Sequence, residues 1–588
     1  METQTALTTR GGGFLLAEGD PLAVFTPERL SEEHRLAARS VTEFLERQVL
    51  PQTAALEGKD WELTRRLLRE LGELGFLGTE VPEAYGGLGL DKITSLVIAD
   101  ALGPASSFAV SVGAHVGIGM LPIVFFGNEE QKQRFLPRMA RGELIGAYAL
   151  TEPTAGSDAM AIRTSAVRTP DGSAYLLNGS KQFITNAAFA DLFITFAKVD
   201  GEQHTAFIVE RSTPGLSIGP EEHKMGIQGS STASLLFDNA RVPAENLLGQ
   251  VGQGFKIAMN ILNMGRFKLA AGCLGAARAT FREAVLYARE RRQFGRPISS
   301  FGLIKQKLAQ MAMRLYAAES MVYRTGGLVE LALGGAHANS QAVMAALEEY
   351  AVECSINKVF ASEVLDFVVD ETVQIFGGYG FIEEYPAARA YRDARINRLF
   401  EGTNEINRMV VTGMLLRRAQ RGQLPLVQAA RAATEELLAP PAAGDGQGTG
   451  PLAAERQQVA LAKKAALFTS GVALQKHASG IEEQQEILAW LADMVAEIFA
   501  MESAVLRAAQ AAAGEETLHT LLARGYVQEA LPRLDGLARQ VLAASAEGED
   551  LRTVLAGLRR LLRYTPVNTV ALQRAIADRA VEAGRYPL

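Results

Sequence analysis

Apolar residues recur at three-to-four spacing over residues 33–50 and 61–77, and this pattern predicts amphipathic helices through most of residues 27–145. The segment VPEAYGGLGL, residues 81–90, interrupts the period with proline and glycines and reads as a loop. From residue 146 the texture changes. Short β-rich runs, AYLL (174–177), LFITFAKV (192–199), TAFIVE (205–210) and ASLLF (233–237), are separated by Gly, Pro, Asp and Asn clusters. Such spacing predicts an antiparallel sheet or small barrel. The helical period returns at residue 254 and runs to about 418. LAPPAAGDGQGTGP, residues 438–451, has the composition of a linker. Residues 453–588 are rich in Ala, Leu, Glu and Arg and read as helical again.

The expected fold is therefore mainly α with a central β domain. Its parts are an N-terminal helical domain (27–145), a middle β domain (146–253), a helical bundle domain (254–418), a linker (419–452) and a C-terminal helical domain (453–588). Strands and helices do not alternate, which argues against a Rossmann fold.

Composition narrows the class. The chain has 588 residues, enough for several domains with cores of their own. Two cysteines, Cys273 and Cys354, exclude a disulfide framework and fit a reducing, cytoplasmic setting. Seven scattered histidines show no metal-ligand spacing, so no metal is expected. The net charge of −7 is spread along the chain, with no basic patch or arm for nucleic acid. No apolar stretch behind a basic start marks a secretory signal. Residues 101–128 carry no acidic or basic side chain and are long enough to span a bilayer. Their prolines, serines and glycines dilute the hydropathy, and the expectation is a buried helix with its flanks.

GxSxG, Walker and HExxH patterns are all missing. Three segments are unusual. AYALTEPTAGSDAM (147–160) is a strand followed by a turn rich in small polar groups and free N–H donors, able to hold an anion or a flavin edge. NGSKQFITNAAFADLF (178–193) places Phe183 two residues before Thr185, on one side of a strand, as a stacking wall with a hydroxyl donor. RLFEGTNEINR (398–408) sets Glu401 before a Gly-Thr turn that can start a helix.

With VPEAYGG, HKMGI, FDNARVP, ERRQFGRPI and QIFGGYGF in the same order, residues 30–416 resemble the acyl-CoA dehydrogenase family of flavoproteins. KHASGIEEQQEILAWLADM (476–494) and LNMGRFKLAAG (262–272) are similar to the very-long-chain branch. The resemblance implies an α domain, a β-barrel-like domain and a four-helix bundle, here with an added C-terminal helical domain. It implies FAD as cofactor, and oxidation of long-chain acyl-CoA to trans-2-enoyl-CoA in fatty acid β-oxidation. Electrons would pass to electron-transfer flavoprotein. An acyl-CoA oxidase and a respiratory-complex assembly factor are the competing readings.

Residue by residue, the resemblance implies Glu401 as the base. Some branches carry the base just before the arginine that here is Arg266, where this chain has Gly265. Tyr148, Leu150, Thr151, Gly156, Ser157, Phe183 and Thr185 are implied at the flavin, with phenylalanine at 183 where tryptophan is common. Arg291, Gln293 and Phe294 would reach the FAD of a neighbouring subunit. Gln374, Ile375, Gly377, Gly378, Thr403 and Glu405 complete the adenosine-diphosphate side. Ser157, Asn263, Arg266 and Gly402 are implied at the acyl-CoA, Arg266 as the cation for its nucleotide. Gly113, Gly117 and Gly119 suit either a deep acyl tunnel or close helix packing. The C-terminal domain is expected to serve dimerisation, and peripheral membrane contact stays open.

Overall fold

The computed structural model describes residues 7–438, 452–512 and 516–588. Helix α1 (Glu32–Phe44) begins at Ser31, whose hydroxyl accepts from the His34 N–H at 3.2 Å while His34 Nδ1 accepts from the Ser31 N–H. Helix α2 (Trp61–Glu73) is capped by Asp60. Both stop short of their apolar pattern. A wide turn takes over at Leu45–Val49, and Gly75, at φ +86°, turns the chain after α2. Helices α3 (Lys92–Leu102), α4 (Ser107–Phe126) and α5 (Glu129–Ala140) complete the first layer. The charge-free stretch forms α4. It is long and apolar enough to cross a membrane, yet two thirds of its most apolar window is buried against the rest of the protein.

The predicted strands all form. They join one eight-stranded sheet from β1 (Gly146–Ala149), β2 (Ser165–Arg168), β3 (Ala174–Thr185), β4 (Leu192–Val199), β5 (Gln203–Glu210), β6 (Leu216–Glu221), β7 (Thr232–Pro243) and β8 (Leu247–Leu248). The order is β6-β7-β3-β2-β4-β5-β8, with β1 on β4. The sheet is mostly antiparallel, but β1 and β2 each pair in parallel with β4, which alternation alone did not predict. Its inner face is closed by Phe193, Phe207, Leu235 and Val242.

Helix α6 (Gly254–Glu290) is the longest element and the axis of the site. Helices α7 (Gly302–Leu333), α8 (Ser340–Glu349), α9 (Ala351–Phe376), α10 (Pro386–Ala394) and α11 (Asn404–Gln420) surround it. After α12 (Leu426–Leu438) most of the expected linker lies outside the described residues. Helices α13 (Ala453–His477), α14 (Gln485–Ala512), α15 (Leu518–Ser545), α16 (Gly548–Leu561) and α17 (Thr569–Ala583) form the C-terminal region, and their apolar faces merge with those of the bundle into one core. The N-terminal segment, to which periodicity gave no role, is tied to both. Gly12 N–H donates to Glu353 (2.6 Å), Gly19 N–H to Glu502 (3.1 Å), and Lys463 Nζ to the Ala17 carbonyl (2.7 Å).

Candidate active site

The Gly-Thr turn before α11 holds Glu401 at φ +58°, a left-handed conformation that non-glycine residues adopt only where surroundings enforce it. The enforcement is visible. Arg266 Nε donates to the Glu401 carbonyl (3.2 Å), and Asn407 Nδ2 donates to the carbonyls of Gly402 (2.8 Å) and Thr403 (3.0 Å). Lys358 Nζ, on α9, donates to the Gly402 carbonyl (2.8 Å) and to Asn404 Oδ1 (2.7 Å). Four main-chain and side-chain acceptors are thus consumed in fixing one turn, while the Glu401 carboxylate receives nothing: its Oε2 is buried without a hydrogen-bond partner. Burial lifts its pKa from an ordinary value near 4.5 to about 7, with Arg266 and Lys358 only moderating the rise.

Gly265 explains where that carboxylate fits. A Cβ at 265 would lie 2.5 Å from Glu401 Cδ and 2.9 Å from Oε1. The glycine on α6 is the space the carboxylate fills, so a side chain at 265 would have to displace the end of Glu401. Glu401 and Gly265 border a cavity of about 840 Å³, together with Thr185 from β3 and Phe400. Helix α4 supplies the opposite wall. A Cβ at Gly113 or Gly117 would meet no atom within 4 Å, so these glycines face open space. Gly119 is different, because a Cβ there would sit 2.8 Å from the Gly146 backbone. The alternative between tunnel and packing therefore resolves position by position.

On the β side, Tyr148 is buried and its hydroxyl has no partner, while its ring packs edge-on against Phe196. Leu150 is buried and Thr151 half-buried beside it. Gly156 and Ser157 are exposed, and a Cβ at 156 would meet nothing. Phe183 stands 59% exposed with half-buried Thr185 on the same side and buried Ile184 between them. The strand is not regular there. The β3–β7 register shifts between Lys181 and Ile184, and Phe183 sits at φ +59°, so a bulge aims the ring. Exposed aromatic, unpaired buried hydroxyl and open glycine turn together fit a flat, polar-edged ring system such as an isoalloxazine.

Arg291, Gln293 and Phe294 lie on an exposed two-stranded hairpin of Arg292–Gln293 and Arg296–Pro297, with Phe294 92% exposed. The Arg291 guanidinium lies over the Tyr379 ring at 5.5 Å, in the turn of exposed Gly377 and Gly378 that follows exposed Gln374 at the end of α9. Ile375 is 4% exposed and packs in the core, so only its main chain faces this turn. Arg291, in this second cluster, is about 39 Å from Gly265 at 1.5 Å per residue along α6.

Three more of the implied residues have partners within the protein. Arg266 is 6% exposed, pairing with Asn263 Oδ1 (2.9 Å) as well as the Glu401 carbonyl, so it anchors the base turn. Thr403 is consumed as the N-cap of α11, accepting from the Ile406 N–H (3.3 Å). Glu405 is exposed in the first turn, where its own main-chain N–H chiefly holds its carboxyl below the ordinary value. Lys358 and Asn407 escaped sequence reasoning. Asn407 stood inside FEGTNEIN, whereas a lone lysine in an apolar helix carries no local signal.

The comparisons with known proteins agree with this geometry. The acyl-CoA dehydrogenase N-terminal, middle and C-terminal domain families match residues 31–143, 147–240 and 252–416, and a second acyl-CoA dehydrogenase C-terminal domain family matches 461–560. The "Probable acyl-CoA dehydrogenase" of Bacillus subtilis (strain 168) is 49% identical over 597 residues, covering 100% of both chains. A crystal structure of an acyl-CoA dehydrogenase complexed with FAD from Bacillus anthracis superposes with a TM-score of 0.96 at 49% identity, covering 98% of this chain and 100% of that one. The human mitochondrial very long-chain specific acyl-CoA dehydrogenase is 44% identical over 351 residues, 58% of this chain and 52% of its own. The chain belongs to the acyl-CoA dehydrogenase family, the FAD-dependent oxidoreductases of acyl-CoA.

Proposed function

We propose that the protein oxidises long-chain acyl-CoA to trans-2-enoyl-CoA in fatty acid β-oxidation, with Glu401 as the base. The observation that carries this reading is the shared cavity: an unpaired, burial-raised carboxylate at one end and two glycines open to space along α4. Each methylene buried contributes about 0.8 kcal/mol, so tunnel depth translates into chain preference.

The Glu401 carboxylate takes the α-proton. A pKa near 7 makes it a stronger base than an exposed glutamate while leaving it ionised often enough to act. Among the described residues no acceptor takes the Glu401 main-chain N–H, which leaves that donor for the thioester carbonyl, where negative charge develops. The β-hydrogen departs with its electron pair, the Cα–Cβ double bond forms, and the substrate is oxidised by two electrons. Bound FAD supplies the acceptor for that hydride. Tyr148, Leu150, Thr151, Phe183 and Thr185 would hold the flavin ring, with Gly156 and Ser157 at its edge and Asn263 and Gly402 toward the acyl-CoA. The position of Arg291, about 39 Å along α6 from Gly265, favours a homodimer in which Arg291, Gln293, Phe294 and residues 374–378 serve the partner's FAD. Exposed Phe294 and Phe381, the latter 84% accessible, support the same reading. Electron-transfer flavoprotein is the proposed acceptor and the cytoplasm the proposed compartment.

Anaerobic mixing with palmitoyl-CoA tests this directly. Loss of the oxidised-flavin absorbance, faster with palmitoyl-CoA than with butyryl-CoA, is expected. A kinetic optimum at C4 to C8 overturns the chain-length assignment. A dye-linked assay beside a peroxide assay separates a dehydrogenase from an oxidase.

A further inference from the structure

The added C-terminal helices do not merely lie on the dehydrogenase unit. Arg507, on α14, is 2% exposed and donates through Nη1 to Glu319 Oε2 on α7 (2.6 Å) and through Nη2 to Glu28 (2.6 Å). The other oxygen of Glu319 accepts from Arg278 Nη1 on α6 (2.7 Å), and Arg278 Nη2 in turn pairs with Asp100 on α3. Tyr586, beyond α17, brings its hydroxyl to Glu319 Oε2 (3.5 Å) and its ring edge-on to Phe281. Asp100, Arg278 and Tyr586 all line the cavity that Glu401 borders.

We infer that Arg507 is a positioning residue through which the C-terminal region sets the Asp100–Arg278 stretch of the cavity wall. The inference rests on the long-chain reading above. The lining carries charge at several points along α6, at Lys268, Arg278, Arg282 and Glu283, and an apolar chain that reaches the Asp100–Arg278 pair meets a cost there. Thirteen residues of α6 separate Gly265 from Arg278, about 20 Å at 1.5 Å per residue. A methylene advances a chain about 1.25 Å, from C–C bonds of about 1.52 Å at about 111°, so about sixteen methylenes span that distance. A stearoyl chain meets the wall and a decanoyl chain does not. Removing Arg507 leaves Glu319 buried with Arg278 as its sole cation, and Glu319 then draws Arg278 away from Asp100. The wall loses its fixed position.

A control lies in the same interface. Arg324 on α7 pairs with Glu502 on α14 (2.9 Å) and is 4% exposed, but neither residue lines the acyl cavity. The test measures kcat and KM of the holoenzyme for decanoyl-CoA and stearoyl-CoA in Arg507→Met and Arg324→Met. Arg507→Met is expected to lower the stearoyl-to-decanoyl ratio of kcat/KM about tenfold, through KM, with Arg507→Lys restoring most of it. Arg324→Met should leave the ratio within twofold, although both substitutions lower the melting temperature. If Arg507→Met yields no folded flavoprotein, Glu319→Gln is read in the same way, since it breaks the relay at its centre. An unchanged ratio, or an equal change in Arg324→Met, overturns the inference. A parent enzyme that oxidises decanoyl-CoA but not stearoyl-CoA overturns the long-chain reading instead, so the two failures are distinguishable.

Discussion

Two glutamates near the site have opposite surroundings. Glu152, in the loop after β1, accepts from the main-chain N–H of Arg163 (2.5 Å) and Thr164 (3.0 Å), from Thr164 Oγ1 (2.6 Å) and from Lys181 Nζ (2.7 Å). Burial pushes its carboxyl up, but Lys181 and these donors outweigh burial and hold it below its ordinary value. Glu401 is half-buried, but its Oε2 is fully buried with none of those donors, and its pKa rises to about 7. The difference teaches what makes a carboxylate a base in this fold. A glutamate whose lone pairs are all engaged holds a loop, while one whose main chain is held and whose carboxylate is left free can take a proton.

Glu401→Gln should break the comparison most severely. The rate of flavin reduction by palmitoyl-CoA in a stopped-flow trace is expected to fall at least about 10³-fold, since the variant lacks its general base. Glu152→Gln should act on the fold. Loss of one partner of the buried Glu152–Lys181 pair costs about 3 kcal/mol, read from urea unfolding, while reduction in the surviving holoenzyme stays within tenfold. Because the folded Glu152 carboxyl is held below its unfolded value, its contribution is present above about pH 4.5 and is lost as pH falls below that. Parent and variant should therefore converge in stability in acid and separate at neutral pH. Gly265→Ala sharpens the comparison from the other side. Its new methyl group collides with the Glu401 carboxyl, and a cost of about 1–2 kcal/mol in positioning lowers the reduction rate about tenfold. A last effect, as large as that of Gly265→Ala, needs no mutation. Glu401 acts only when ionised, so the reduction rate of the parent should rise about tenfold between pH 6 and pH 8, with a midpoint near 7. A flat profile contradicts the raised pKa.

Much of this was legible in the sequence because it is local. Strand alternation, the break at residues 81–90 and the position of Glu401 before a Gly-Thr turn all depend on neighbours along the chain. What escaped depends on distant partners. GAHVGIG carries three glycines of one composition, yet Gly113 and Gly117 face a void and Gly119 faces the Gly146 backbone. Spacing cannot distinguish these, since the difference lies in what crosses α4 from elsewhere. Arg266 reads as a free cation until Asn263 and the Glu401 carbonyl are brought beneath it. Buried Lys358 has the same history: its worth lies in a turn more than forty residues downstream. Parallel pairing of β1 with β4 also joins segments that no periodicity connects.

The central claim is that Glu401 removes the α-proton, and it can be tested apart from the redox step. An acyl-CoA with sulfur in place of the β-carbon has no β-hydrogen to lose, so only exchange of its α-protons remains. That exchange, followed by NMR in D₂O with the holoenzyme and a long-chain 3-thia-acyl-CoA, is expected to be fast in the parent with a midpoint near pH 7 and to fall to the solvent background in Glu401→Gln. Exchange in Glu401→Gln at the parental rate would contradict the assignment of Glu401 as the base.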